Sequence, residues 1–307
     1  MVNEVNHREK PGKNRQTMEV HEPIKRDRNL NITVIADDSQ RGLAAVSQGV
    51  MLAEVFQASL TVMANFGFDF GPSEFRHIPN DSPYLQEIRK AVSEVANCQI
   101  ITDYIFPETL FRYAEEHNTA MFVIGVPDGL GSDGECFFTA KKAIKFIRQS
   151  RFPVMTVTFA YPDATYYKHI LLPLDIERQN KEKALWAGYF SRFYGSVIHI
   201  LHPKYKDEGL AKLVNDNVAF VEKLYENLDV TYKKYETQPQ NYLDAYALNF
   251  PLIEHVGAHA GASVIMMTRY YTLGDVLMGP RERKIIGKTP MSILCINQRD
   301  DLYVLCT

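Results

Sequence analysis

Two aspartate turns and two glycine loops hold the residues best suited to chemistry in this chain. Asp37 and Asp38 follow the apolar run "ITVIA", and Asp175 follows "HILLPL". A carboxylate just past a buried strand either caps the following helix or faces a polar ligand beyond the carboxyl ends of the sheet. Gly125, Gly129 and Gly131 lie in "IGVPDGLGSDGECFFTAKKAIKFIRQ", with Lys141 further along, and Gly279 lies in "RYYTLGDVLMGPRERKIIG". Glycines let backbone N–H groups approach phosphate oxygens closely, because no Cβ blocks the required conformations. A helix N-terminus and a lysine would add positive charge. These types and spacings suit the binding of a phosphorylated ligand better than turnover. The run from Gly129 through Gly131 to Gly134 is a formal G-x-G-x-x-G. A dinucleotide fingerprint needs a helix at once and an acid about 20 residues on, and here the apolar run "PVMTVTF" occupies that distance. A glycine-rich surface loop is the plainer reading.

Other constellations fall short of a catalytic set. His255 and His259 have helical i, i+4 spacing, but no H-E-x-x-H motif and no third ligand accompany them. His117 and His259 each close a helical run before a strand, where an imidazolium suits the helix dipole. His199 and His202 share one strand-like run, so their rings point to opposite faces; only a strand ending at Leu201 would turn His202 into a cleft. Cys98, Cys136, Cys295 and Cys306 form no C-x-x-C pair. That disfavours a zinc knuckle or disulfide framework and fits a reducing cytoplasm. No nucleophile elbow, Walker loop or pair of catalytic carboxylates is recognisable. Neither a metal nor a catalytic residue is assigned.

The elements that must position these residues occur twice. "NITVIADDSQRGLAAVSQGVMLAEVFQASLTVMANF" begins at Asn31 and "HILLPLDIERQNKEKALWAGYFSRFYGSVIHILHP" at His169. Each reads as a buried strand, a turn with aspartate, an amphipathic helix and a second strand. Placing Asp38 on Asp175 aligns them without a gap, with Phe56 on Phe193, Ala58 on Gly195 and Ser59 on Ser196. Continuous apolar strands imply burial on both faces, as in a parallel sheet covered by helices. The first copy continues with a helix over 82–97, "QIITDYIF", the helix "PETLFRYAEEH", "AMFVIGV", a helix over 140–149 and "PVMTVTF". The second continues with a helix within 207–228, "VTYKKYE", a helix near 242–259, "SVIMMT", the Gly279 loop, a helix over 281–286 and "SILCIN".

This alternation predicts an α/β fold of two tandem doubly wound domains, each on a five-stranded parallel sheet. Domain one is placed at 29–160, a linker at 161–168 and domain two at 169–300. Residues 1–28 are polar and mixed in charge and read as a mobile arm. The tail 301–307, "DLYVLCT", is apolar and β-prone, and is expected to pack as an extra strand or at an interface. Tyr166-Tyr167 and Tyr270-Tyr271 read as interface or rim packing.

Bulk composition narrows the function. The 307 residues carry 46% apolar and 23% charged side chains and a net charge of −3. That charge gives no electrostatic basis for binding nucleic acid or an anionic membrane. No apolar run reaches the ~18 residues of a membrane span, and the N-terminus lacks the apolar core of a secretory signal. A cytoplasmic location is expected.

"LFRYAEEHNTAMFVIG" and "YKHILLPLDIERQNKEKALWAGYFSRFYGSVIHILH" resemble universal stress protein domains, and the resemblance covers nearly everything from 29 to about 298 as two tandem copies. It implies five-stranded sheets of the adenine-nucleotide α-hydrolase type, packed as an internal pseudo-dimer, with a homodimer as a further option. Some members bind ATP and some do not. Binders use an aspartate after the first strand, facing the adenosine moiety. They also use a loop after the fourth strand: glycine, two residues, glycine, nine residues, then glycine with serine or threonine. In the second copy Met267 and Tyr270 take the first two glycine positions, Gly279 matches the third and Pro280 replaces the hydroxyl residue. The spacing is one residue short, and Pro280 removes an N–H donor. In the first copy Gly125 matches, Asp128 takes the second position, and the third, displaced by about two residues, reads Ala140-Lys141.

For the first copy's aspartate, the gap-free alignment favours Asp38 and the family's A-x-D-x-S look favours Asp37. In the second copy Ile176 and Glu177 follow Asp175 where small residues are usual. The resemblance implies a stress-response or regulatory protein acting by binding or association, with degenerate ATP motifs in both domains and no required cofactor. The alternative is an ATP- or AMP-binding regulator using the first domain's cleft. Tyr270 or Tyr271 is expected to occupy space near Asp175.

Overall fold

The continuous apolar runs become central strands. β-branched and aliphatic side chains packed on both faces leave Asn31–Ile35 and His169–Pro173 buried along most of their length. The computed structural model describes residues 3–4, 30–64, 79–103, 107–127, 138–161, 163–176, 181–237, 261–267, 285–286 and 291–297. In chain order the elements of the first half are β1 (Asn3–Glu4), β2 (Asn31–Ile35), α1 (Gln40–Phe56), β3 (Ser59–Met63), α2 (Pro83–Ala91), β4 (Cys98–Ile101), α3 (Pro107–Glu116), β5 (Thr119–Gly125), α4 (Ala140–Gln149) and β6 (Val154–Val157). A 3-10 turn, Ala164–Lys168, leads to β7 (His169–Pro173), α5 (Lys181–Tyr194), β8 (Val197–Pro203), α6 (Glu208–Asn227), β9 (Tyr232–Thr237), β10 (Ala262–Met266) and β11 (Ser292–Ile296).

Among the described residues eleven strands form one sheet, ordered β1-β9-β8-β7-β10-β11-β6-β5-β2-β3-β4. Each lobe contributes five parallel strands in the same spatial order, third-second-first-fourth-fifth. The lobes join edge to edge through β6 and β11, which run antiparallel and pair Thr156 with Ile293, Met155 with Leu294 and Val154 with Cys295. Within its own lobe Val154 pairs with Phe122, as Ile293 does with Ser263. Met155 and Leu294 are therefore equivalent positions facing each other, and a pseudo-two-fold axis passes between them.

Strand register corrects the repeat alignment by one residue. Asn31 pairs with Ser59 and His169 with Val197, a constant spacing of 138 between the lobes. The helices agree: Gln57 ends α1 in the left-handed region at φ 50°, and Gly195, 138 residues on, follows α5 at φ 69°. Asp37, not Asp38, is thus the counterpart of Asp175, and Phe56, Ala58 and Ser59 match Tyr194, Ser196 and Val197. The similarity of Ala58-Ser59 to Gly195-Ser196 pointed one residue away, because glycine is needed at the helix end rather than in the following strand.

Helices cover both faces. α1, α2, α5 and α6 close one core, which runs without a break through both lobes, while α3 and α4 cover the other face of lobe one. α2 stops at Ala91, short of 97, and β4 starts at Cys98. The connection between the lobes is built rather than slack. Tyr161 Oη donates to the Gly261 carbonyl (2.6 Å) and accepts from the Ser292 N–H (2.9 Å). Tyr167 Oη donates to Gln48 Oε1 at 2.6 Å. A Cβ at Gly261 would overlap the Tyr166 carbonyl. Asn3 and Glu4 pair antiparallel with Glu236 and Tyr235 on β9. The expected helix near 242–259 and the tail 301–307 lie outside the described residues.

Candidate functional site

The carboxyl ends of the strands are where a doubly wound fold presents ligands, and the two lobes differ there. In lobe one Asp37 supports the start of α1. Its Oδ1 accepts from the Ser39 N–H at 3.1 Å and from the Ser39 hydroxyl, and Ser39 Oγ in turn accepts from the Gly42 N–H at 3.0 Å. Ser39 is the N-cap and Asp37 braces it. Asp38 is exposed. Gly42 and Gly125 both serve close approach: a Cβ at Gly42 would overlap the Asp37 carbonyl, and one at Gly125 the Arg41 carbonyl. Arg41 extends its guanidinium to the Thr158 carbonyl and over the Phe159 ring, 4.9 Å from the centroid. Asp37, Arg41, Gly125 and Thr158 thus meet at one corner. Lys141 is exposed in the first turn of α4, whose N-cap is Thr139, accepting from the Lys142 N–H at 3.3 Å.

Tyr84 completes this corner and was not anticipated. It lies in the first turn of α2, behind the N-cap Ser82 and Pro83. Burial chiefly, then the charges of Asp37 and Asp38, holds its hydroxyl far above the ordinary tyrosine range. That hydroxyl is buried without a hydrogen-bond partner. The Ser-Pro pair was the available signal, and it marks only where the helix starts.

Lobe two has different side chains at equivalent places. β10 pairs with β7 and β11 in the same register as β5 with β2 and β6. Met266 is therefore the counterpart of Gly125, and Met267, expected there, matches Val126: Met267 N–H bonds the Ile296 carbonyl as Val126 N–H bonds that of Val157. Asp175 is buried and its carbonyl accepts from Asn217 Nδ2 at 2.6 Å. Lys183, only 4% exposed, donates from Nζ to the Pro173 carbonyl at 2.6 Å. Sequence reasoning passed over it, although it stands on the apolar stripe with Ala184, Ala187 and Phe190. Ile176 is 38% exposed.

The histidines fall on opposite faces of β8, which continues to Pro203. His199 faces His169, Nε2 to Nδ1 at 3.0 Å, and Tyr235 Oη at 3.3 Å. Burial, then His169 and Lys233, pushes His199 down to about 3. His202 lies on the other face, and its Nδ1 is buried without a partner. Among the described residues no group of three or more His, Cys, Asp or Glu is placed to hold a metal. No helix among them is long and apolar enough to cross a membrane. Asp128, Gly129, Gly131, Tyr270, Tyr271, Gly279, Pro280, Cys136, His255 and His259 lie outside the described residues.

No protein-family model matches the sequence, and no curated protein does. Solved structures do. A universal stress protein from Archaeoglobus fulgidus DSM 4304 superimposes with a TM-score of 0.62 at 10% identity, covering 88% of this chain and 98% of that one. A functionally unknown protein from Pseudomonas aeruginosa PAO1 superimposes with 0.56 at 13% identity, covering 89% and 93%. At these identities the likeness is one of fold: this chain is built as the universal stress protein fold, with two five-stranded lobes on one sheet.

Proposed function

We propose that this chain is a universal stress protein-like stress-response or regulatory module that works by binding and association, with the family's ATP site degenerate in both lobes and no cofactor required. One observation carries this reading: the place of the first loop glycine is taken up by packing. In lobe one Gly125 lies under the Arg41 carbonyl, and in lobe two the same place holds Met266, packed against the core. Neither leaves the loop start free to wrap a phosphate, which requires close backbone approach.

The test is thermal unfolding of the full chain with millimolar ATP and Mg²⁺. No shift is expected, because a ligand stabilises only the state that binds it. A shift abolished by Asp37→Ala would replace this reading with the alternative, an ATP- or AMP-binding regulator using lobe one. That alternative is favoured by one feature, the unpartnered Tyr84 hydroxyl beside Asp37 and Asp38.

A further inference from the structure

A single row of residues separates the two lobes at their strand ends. In lobe one, Ala36 follows β2 and is flanked in register by Ala64 after β3 and Gly125 on β5. In lobe two the same row is Leu174, flanked by His202 on β8 and Met266 on β10. Above the row, helix position 45 is alanine in lobe one, and its counterpart 138 residues on is Lys183. Four small residues in one lobe correspond to four large ones in the other.

The small row has a physical use in lobe one. It lets the first turn of α1 sink onto the sheet, so that the Arg41 backbone reaches Gly125. The start of α1, capped by Ser39 and braced by Asp37, is thereby brought to the strand ends. In lobe two the Met266 side chain occupies the place of Gly125. Side chains cover the strand ends instead. His202 is 5% exposed, and the Lys183 ammonium is spent on the Pro173 carbonyl. Lys183 stands where a ligand would otherwise meet the end of β7.

We infer that lobe two is sealed at its strand ends by Leu174, Lys183, His202 and Met266, so that any small ligand taken at strand ends is taken by lobe one alone, one per chain. This does not depend on whether that ligand is a nucleotide. Reductive methylation of the full chain with formaldehyde and cyanoborohydride, mapped by mass spectrometry, tests the seal without a ligand. Lys183 should react at least about tenfold more slowly than the exposed Lys181 and Lys223, as expected of a buried amine. Met266→Gly and, separately, His202→Ala restore the lobe-one residues and should each speed the reaction at Lys183. Native-state reaction of Lys183 at the rate of Lys181 would overturn the inference. So would continued protection in both variants.

Discussion

One cross-strand pair shows how the same position acquires different chemistry. In lobe one Thr61 Oγ1 donates to Asn31 Oδ1 at 3.2 Å. The residues 138 further on are His199 and His169, bonded at 3.0 Å. The neutral pair ignores pH, whereas the histidine pair does not. His199 is held down to about 3 from an ordinary 6.5 by burial, His169 and Lys233, and His169 is lowered by burial and Lys233. In the unfolded chain these imidazoles take up protons near 6.5, while folded His199 stays neutral. The unfolded state therefore binds more protons in between, and stability that is whole above that pH falls as pH drops toward 3. At pH 4.5 the loss from His199 should be about 2–3 kcal/mol, read from urea midpoints between pH 7 and 4.5. His199→Gln should flatten the dependence; an unchanged slope would assign the loss to other groups.

Among the elements, the connector between lobes carries a load that its length does not suggest. Asp163 Oδ1 accepts from the Thr165 N–H at 2.8 Å and starts the 3-10 turn. Tyr161 then fastens the turn to the amino ends of the second lobe, bonding Ser292 and Gly261 together. Burial pushes the Tyr161 hydroxyl up to about 12, so it remains a donor throughout the working range. Tyr161→Phe removes two buried hydrogen bonds, leaving the Ser292 N–H and the Gly261 carbonyl only their own 3.2 Å bond, and should cost about 1–3 kcal/mol in urea unfolding. A loss below about 0.5 kcal/mol would mean that Tyr161 holds the connector by its ring, stacked on Tyr166 and edge-on to Tyr167, rather than by its hydroxyl.

At the scale of the molecule, the β6–β11 seam and the undivided core make the lobes mutually dependent. Residues of both lobes share one cluster, in which Phe56 of α1 meets Phe190 of α5 at 4.8 Å between ring centroids. Unfolding is expected as a single transition. The chain's only tryptophan, Trp186, lies in α5 with its ring 6.4 Å from that of Phe56 in α1 and so reports on the contact between the lobes, while far-ultraviolet circular dichroism reports on both lobes. The two curves should coincide in urea, as in two-state behaviour. A dichroism curve with a second step that tryptophan fluorescence lacks would show that the lobes do not unfold together.

The repeat, the alternation of strand and helix and the class of sheet were legible in the sequence, because apolar periodicity is a local property of consecutive residues. The boundaries of α4 could be read almost to the residue, since Thr139 before an amphipathic run is a local cap. The one-residue register between the lobes could not be read that way. It depends on which residue stands left-handed at the end of a helix and which strands pair, and Gln57 gives no sign of sharing a role with Gly195. The same slip hid Met266 as the partner of Gly125. Tyr84, Arg41 and Lys183 acquire meaning only from neighbours far away in the chain. The sequence alone determined that two lobes of the same α/β class exist and that an aspartate follows the first strand of each, without choosing between Asp37 and Asp38. Tertiary structure decided that Asp37 braces a helix, that Gly125 admits a backbone and that lobe two meets its strand ends with side chains, because each of those outcomes is a contact between segments that folding alone brings together.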